Sequence, residues 1–212
     1  MRIDHIIFAS GPQGIKADVA CLAEQLGADF KEGGFHPRFG TRNCIIPLVN
    51  SRYLEVVEVL DHPAAEKAPF GQAVRARSEM GGGWLGWAVS VDDIAPFEER
   101  LERAAALGAR QFPDGRILEW RQLGIRGLMA DPQLPFFLQW ISNAQLRPTA
   151  LGSTLRLTEI QISGSADRLS EWLGVPVNDS LDGVHLDLIA PNGHPGITQV
   201  TFESPLRGTV VI

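Results

Sequence analysis

Apolar and polar positions along this chain repeat one order of elements, a strand, then a helix, then further strands. Residues Ile3–Phe8 read as a strand. Ile15, Val19, Leu22 and Leu26 then recur at helical spacing, which predicts a helix that Gly27 ends. A short strand from Phe30 to Gly34 runs into a bend, and the loop Phe35–Gly40 leads to two strands, Asn43–Leu48 and Tyr53–Leu60. The order returns with a strand at Leu85–Val91 and a helix over Ile94–Leu107, opened by Asp92 and Asp93 and stopped by Gly108. Strands are then expected near Ala109–Gln111, Leu118–Gln122, Gly127–Ala130 and Phe136–Ile141. A third, shorter copy offers strand Leu155–Ile162, helix Ala166–Leu173, strand Val184–Ile189, a turn at Pro191, Asn192 and Gly193, and strand Ile197–Glu203.

Each copy of such a unit leaves one sheet face bare until a neighbour covers it. The expected architecture is therefore α+β, with paired βαβββ modules forming a curved sheet cup. One domain spans residues 1–142, built from modules 1–62 and 84–142, and a degenerate third module spans 153–212. A helix over Phe70–Arg77 and the glycines 81–83 connect the first two modules. No Lys-Ser/Thr follows those glycines and a strand comes next, so they are a flexible connection and not a phosphate loop.

Strand alternation nominates the residues that face the cup. His5 shares a face with Ile3 and Ile7, Glu55 with Tyr53 and Val57, and Gln139 with Phe137 and Ile141. A carboxylate in mid-strand between Leu54 and Val56 is costly to bury without a partner, and His5 across the cup is the expected one. The segment from His36 to Asn43 carries a His, two Arg, a Thr and an Asn beside Phe39, a composition suited to holding an anionic group. Arg42 and Asn43 open a strand and are placed inside the cup ahead of Arg38. Trp84 and Trp120 are candidate cup walls, whereas Trp87 and Trp140 alternate with cup-facing positions and are assigned to the core. His185 and Asp187 echo the strand of Glu55 and are read as ordinary strand residues.

Composition narrows the function classes. The 212 residues carry a formal net charge of -6 and no basic run, which argues against nucleic acid as partner. The two cysteines, Cys21 and Cys44, are too few for a disulfide framework. No apolar run approaches a membrane span, and the charged and polar residues in Met1–His5 are unlike a signal peptide. A cytoplasmic protein with a small-molecule ligand is expected, and the sheet edges of a truncated third copy invite a homodimer.

Three stretches resemble the vicinal oxygen chelate superfamily in its glyoxalase-like branch: Asp4 to Phe8, Gly34 to Asn43, and Tyr53 to Glu55. The resemblance covers most of residues 1–142, with a weak echo in Thr158, Glu159 and Ile160. It implies a cup of two βαβββ modules in which four strands each point one ligand at a divalent cation. Carried over residue by residue, His5 and Glu55 stand at the ligand positions of the first module and Gln139 at one of the second. Gly86, which has no side chain to ligate, stands at the fourth. The implied cofactor is one divalent metal (Zn, Ni, Fe or Mn), or none, with water or substrate completing the coordination.

Two functions follow. In the first, the protein is an isomerase or lyase that abstracts a proton beside a carbonyl, with His5, Glu55 and Gln139 at the reacting centre and His36, Arg42, Asn43 and Trp84 holding the substrate. His5 and Glu55 suit proton transfer even without metal. In the second, the same cup sequesters a drug or metabolite without turnover, using Trp84, Trp120 and Glu55.

Overall fold

Each of the first two repeats folds as a strand, a helix and three strands. β1 (Arg2–Ala9), α1 (Ile15–Leu26), β2 (Lys31–His36), β3 (Thr41–Leu48) and β4 (Arg52–Val59) make the first. After α2 (Pro63–Lys67) and α3 (Pro69–Glu79) come β5 (Gly83–Ser90), α4 (Ala95–Leu101), β6 (Ala106–Gln111), β7 (Ile117–Leu123), α5 (Gly127–Ala130) and β8 (Phe136–Trp140). The computed structural model describes residues 1–112, 114–150, 152–190 and 194–212, so the turn expected at Pro191, Asn192 and Gly193 lies outside the described residues. Two elements differ from their sequence patterns. The helix expected to reach Leu107 ends at Leu101, where Glu102 turns left-handed, and Gly127–Ala130 is a helical turn where a strand was expected.

The eight strands close in the order β1-β4-β3-β2-β6-β7-β8-β5, so the expected cup is a closed barrel. β1 pairs with β4 in parallel and with β5 antiparallel, and β5 pairs with β8 in parallel. Between β2 and β6 closure rests on a single pair, Phe35 with Gln111. Gly34 permits that close approach: its φ is 128°, and a Cβ there would lie 2.2 Å from the Gln111 carbonyl oxygen.

Residues after the barrel form a second sheet from β9 (Arg156–Ser163), α6 (Ala166–Leu173), β10 (Ser180–Leu181), β11 (Val184–Ile189), β12 (Gly196–Ser204) and β13 (Gly208–Val211), ordered β10-β11-β9-β12-β13. It repeats the barrel's register. Against β5, β1 carries an extra residue at Asp4, between the pairs Ile3–Val89 and His5–Ala88. Against β12, β9 carries an extra residue at Thr158, between Leu157–Phe202 and Glu159–Thr201. His5 pairs with Tyr53 as Glu159 pairs with His185, so Glu159 stands where His5 stands and Asp187 where Glu55 stands.

Leu157, Ile160, Ile162 and Phe202 of the second sheet pack in one cluster with Trp87, Phe137 and Trp172, where the sheet meets the barrel. Fully burying side chains of this size is worth roughly 1.5–3 kcal/mol each. A polar tie reinforces the contact. The Arg52 guanidinium, 2% exposed, donates to Asp182 Oδ2 at 2.7 Å and to the Asp182 carbonyl, and the same Oδ2 accepts from Ile3 N at 3.1 Å.

Candidate active site

The barrel holds an interior pocket. His5, Asn43, Glu55, Arg110 and Gln122 supply its polar lining, and Phe39, Tyr53, Phe70, Trp120 and Trp140 much of its aromatic wall. β1 and β4 lie side by side, which sets His5 and Glu55 on neighbouring strands with His5 Nε2 3.7 Å from Glu55 Oε2. Both are buried. Asn43 on β3 donates from Nδ2 to Glu55 Oε1 at 2.7 Å, which holds the carboxylate and leaves Oε2 turned to His5.

Asp4 completes the group. The bulge on β1 brings its carboxylate beside the next side chain, and Asp4 Oδ1 lies 2.8 Å from His5 Nδ1. Asp4 Oδ2 accepts from Trp140 Nε1 at 2.9 Å. An ionised carboxylate only accepts, so the imidazole carries a proton on Nδ1 and turns Nε2 toward the cavity. The Tyr53 ring stacks on His5 at 4.5 Å and Phe136 meets it edge-on at 5.6 Å, which fixes the ring plane. Burial, then the carboxylates of Asp4 and Glu55, push the Tyr53 hydroxyl well above its ordinary pKa, so it stays protonated.

His36 also lines the cavity, from the last position of β2. Its Nδ1 lies 2.9 Å from Thr41 Oγ1, and its ring sits among Phe39, Phe70 and Trp120. Burial first, then the charges of Arg110 and His5, lower its pKa to about 3, so it is a neutral polar group at physiological pH.

Three sequence-nominated residues lie elsewhere. Gln139 faces away from the void, donating to the Asp92 carbonyl at 2.8 Å and accepting from Ile94 N at 3.4 Å. The inward positions of β8 are Phe136, Leu138 and Trp140. Phe136 to Trp140 is apolar on both faces apart from Gln139, so alternation there carries no direction, and a one-residue slip exchanges the faces. Trp140 is accordingly a cavity wall and not the core residue expected. Arg42 lies on the outer face of β3, its Nε 2.5 Å from Glu58 Oε2, because Asn43 beside it takes the inward position. Trp84 lies outside the barrel, edge-on to Phe8 at 5.3 Å and donating to an oxygen of Ile212 at 3.1 Å. Trp120 lines the void as expected, its Nε1 donating to Gln122 Oε1 at 2.8 Å.

Asp4, Tyr53 and Arg110 are site residues that sequence reasoning did not single out. Asp4 directly precedes His5, but a flat strand would point the two apart. Tyr53 shares the strand face of Glu55 in the alternation pattern, which is a usable signal. Arg110 sits in a short polar strand with nothing local to mark it.

The donor set does not suit a chelated divalent cation. With Gln139 turned outward, His5 and Glu55 remain of the expected ligands, Asn43 holds one oxygen of Glu55, and His36, on the same cavity, has its Nδ1 2.9 Å from Thr41 Oγ1. A Cβ on Gly86 would lie 2.3 Å from Leu128 Cδ2, so that position faces a packed leucine. Among the described residues no group of three or more His, Cys, Asp or Glu converges as a metal site.

Comparison with known proteins agrees with this architecture. The glyoxalase-like domain family matches residues 3–176. No protein of curated function matches the chain in sequence. A hypothetical protein from Staphylococcus aureus shares the fold with TM-score 0.67 and 17% identity, covering 96% of this chain and 91% of that one. Methylmalonyl-CoA epimerase from Streptomyces coelicolor, solved with 2-nitronate-propionyl-CoA, aligns with TM-score 0.47 and 16% identity over 67% of this chain and 99% of that one. A hypothetical protein from Bacillus halodurans aligns with TM-score 0.42 and 18% identity over 68% and 96%. Among the described residues no helix is long and apolar enough to cross a membrane.

Proposed function

The chain belongs to the glyoxalase-like domain family, and on that premise we propose that its barrel moves a proton at a carbon beside a carbonyl, an isomerase- or lyase-type reaction on a small substrate. The observation that carries this reading is the buried chain Asp4–His5–Glu55, with His5 Nε2 and Glu55 Oε2 3.7 Å apart at one wall of the void. Glu55 Oε2 takes the proton from carbon, the C–H electrons move to the carbonyl oxygen as an enolate, and the proton passes to His5 Nε2 or returns to the substrate. Asp4 and Asn43 are positioning residues: one holds the imidazole with Nε2 inward, the other holds the carboxylate. Aromatic walls close to the pair exclude water and strengthen the electrostatics within. No step requires a metal ion.

The test is solvent deuterium exchange into a panel of small 2-oxo acids and ketones, followed by proton NMR. Exchange above the buffer rate, reduced by roughly 10²- to 10⁴-fold in Glu55→Gln and His5→Gln, is expected. The aromatic wall of Phe39, Phe70, Trp120 and Trp140 favours the second reading, a non-catalytic binding protein for a small metabolite or drug. Binding of panel members with no exchange by the wild type would replace the first reading with the second.

A further inference from the structure

Arg110 is a charge in the barrel that the acid–base group leaves unused. It is 2% exposed and lines the void, its Nε has no acceptor, and among the described residues no carboxylate comes within ion-pair distance of it. Desolvation pulls its pKa below the ordinary arginine value, with Tyr53 and Glu55 acting in the opposite direction. A buried cation without a counter-ion is costly, and a guanidinium presents a planar fork shaped for a carboxylate. The two carboxylates of the site already have partners. Asp4 accepts from Trp140 and faces His5 Nδ1, and Glu55 accepts from Asn43.

The local backbone keeps the guanidinium at the cavity wall. Phe112 lies under it, with the guanidinium carbon 4.6 Å from the ring centroid. On another side is Gly33, where a Cβ would come within 3.2 Å of Arg110 Nη1 and 2.0 Å of Asn43 Oδ1. Asn43 Oδ1 is itself buried and without a donor. The missing side chain at Gly33 therefore leaves room for both groups, with the Nε donor of Arg110 and the Oδ1 acceptor of Asn43 both buried and without a partner.

We propose that Arg110 anchors a carboxylate subsite, so that the barrel takes a small, planar carboxylic acid. The carboxylate rests on the guanidinium, the carbon skeleton lies against Trp120 and Phe70, and the carbon beside the carboxylate or a neighbouring carbonyl is turned to Glu55 and His5. This deepens the reading above and rests on it for the orientation of the substrate, but the binding itself does not depend on proton transfer.

The experiment is calorimetric titration of the whole protein with phenylacetate, phenylpyruvate and 2-oxobutyrate, and with phenylacetamide as the neutral counterpart of phenylacetate. Wild type should bind at least one of the acids, with phenylacetate at least about tenfold tighter than its amide, and Arg110→Met should abolish that preference. Glu55→Gln should keep or strengthen acid binding while losing deuterium exchange, which separates this subsite from the proposed chemistry. A structural Arg110 would behave differently: its Met variant would melt well below wild type, whereas a ligand anchor replaced by Met should melt at or above the ligand-free wild type. Equal affinity for acid and amide, unchanged acid binding in Arg110→Met, or no binding of any of the acids would overturn the proposal.

Discussion

His5 Nδ1 lies 2.8 Å from the carboxylate of Asp4, the residue that precedes it on the same strand. Consecutive side chains on a flat strand point to opposite faces, so this contact exists only because β1 carries a bulge at Asp4 opposite Val89 and Ala88. The bulge re-aims one side chain and supplies the imidazole with its orienting carboxylate.

Asp4→Asn tests that relationship. An amide offers both a donor and an acceptor where the carboxylate offers only acceptors, so the Nδ1–H tautomer loses its preference. Imidazole ¹⁵N shifts of His5 should move toward a mixture of tautomers, and exchange activity should fall by at least about tenfold. Shifts identical to wild type would mean that Asp4 does not set the tautomer.

Gly33→Ala should disturb the site by sterics, without adding or removing a charge. The added Cβ would stand 2.0 Å from Asn43 Oδ1, so Asn43 must leave Glu55 or the strand must move. Overpacking of this kind costs roughly 1–3 kcal/mol, readable as a lower midpoint in urea unfolding. A crystal structure retaining the Asn43–Glu55 hydrogen bond would contradict the steric account.

Asp182→Ala removes the partner of a buried guanidinium. Arg52 would keep its contact to the main-chain carbonyl of residue 182 but lose the only carboxylate paired with it among the described residues. Breaking a fully buried pair from one side costs about 3–5 kcal/mol; Asp182 is partly exposed, so the loss should be smaller, and it should localise between barrel and second sheet. Hydrogen exchange should rise first in β1 and β11, while the far side of the barrel stays protected.

His36 gives the protein an acid limb. Its folded pKa of about 3 lies below the unfolded value of 6.5, so between those values the unfolded chain holds the extra proton. Stability is then complete above pH 6.5 and declines as pH falls toward about 3, by up to about 1.4 kcal/mol per pH unit. His36→Gln should flatten that part of the stability profile measured by urea unfolding. An unchanged slope would assign the acid sensitivity to other groups.

Chelation offers a further check on the donor set. Dialysis against EDTA should leave melting temperature and acid binding unchanged, since among the described residues no three His, Cys, Asp or Glu side chains converge as zinc ligands do. A fall in either, restored by one divalent cation, would show that the barrel rearranges to build a metal site.

The amino-acid sequence alone determined the repeated strand–helix–strand units, the α+β class, and the sharing of one strand face by Tyr53, Glu55 and Val57. Each of these rests on local periodicity within a single element, where core-facing positions recur at 3.6 or 2 residues. Tertiary structure decided what depends on a neighbouring strand. The bulge that turns Asp4 toward His5 exists only in the pairing of β1 with β5. The facing of Gln139 and Trp140 depends on how β8 lies between β5 and β7, because a segment apolar on both faces has no preferred side of its own. Arg110 reaches the void because β6 closes on β2 beside Gly33 and Gly34, a contact between segments some eighty residues apart. Alternation tells a side chain which of two faces it shares, and only the packing of one strand against another tells which face is the inside.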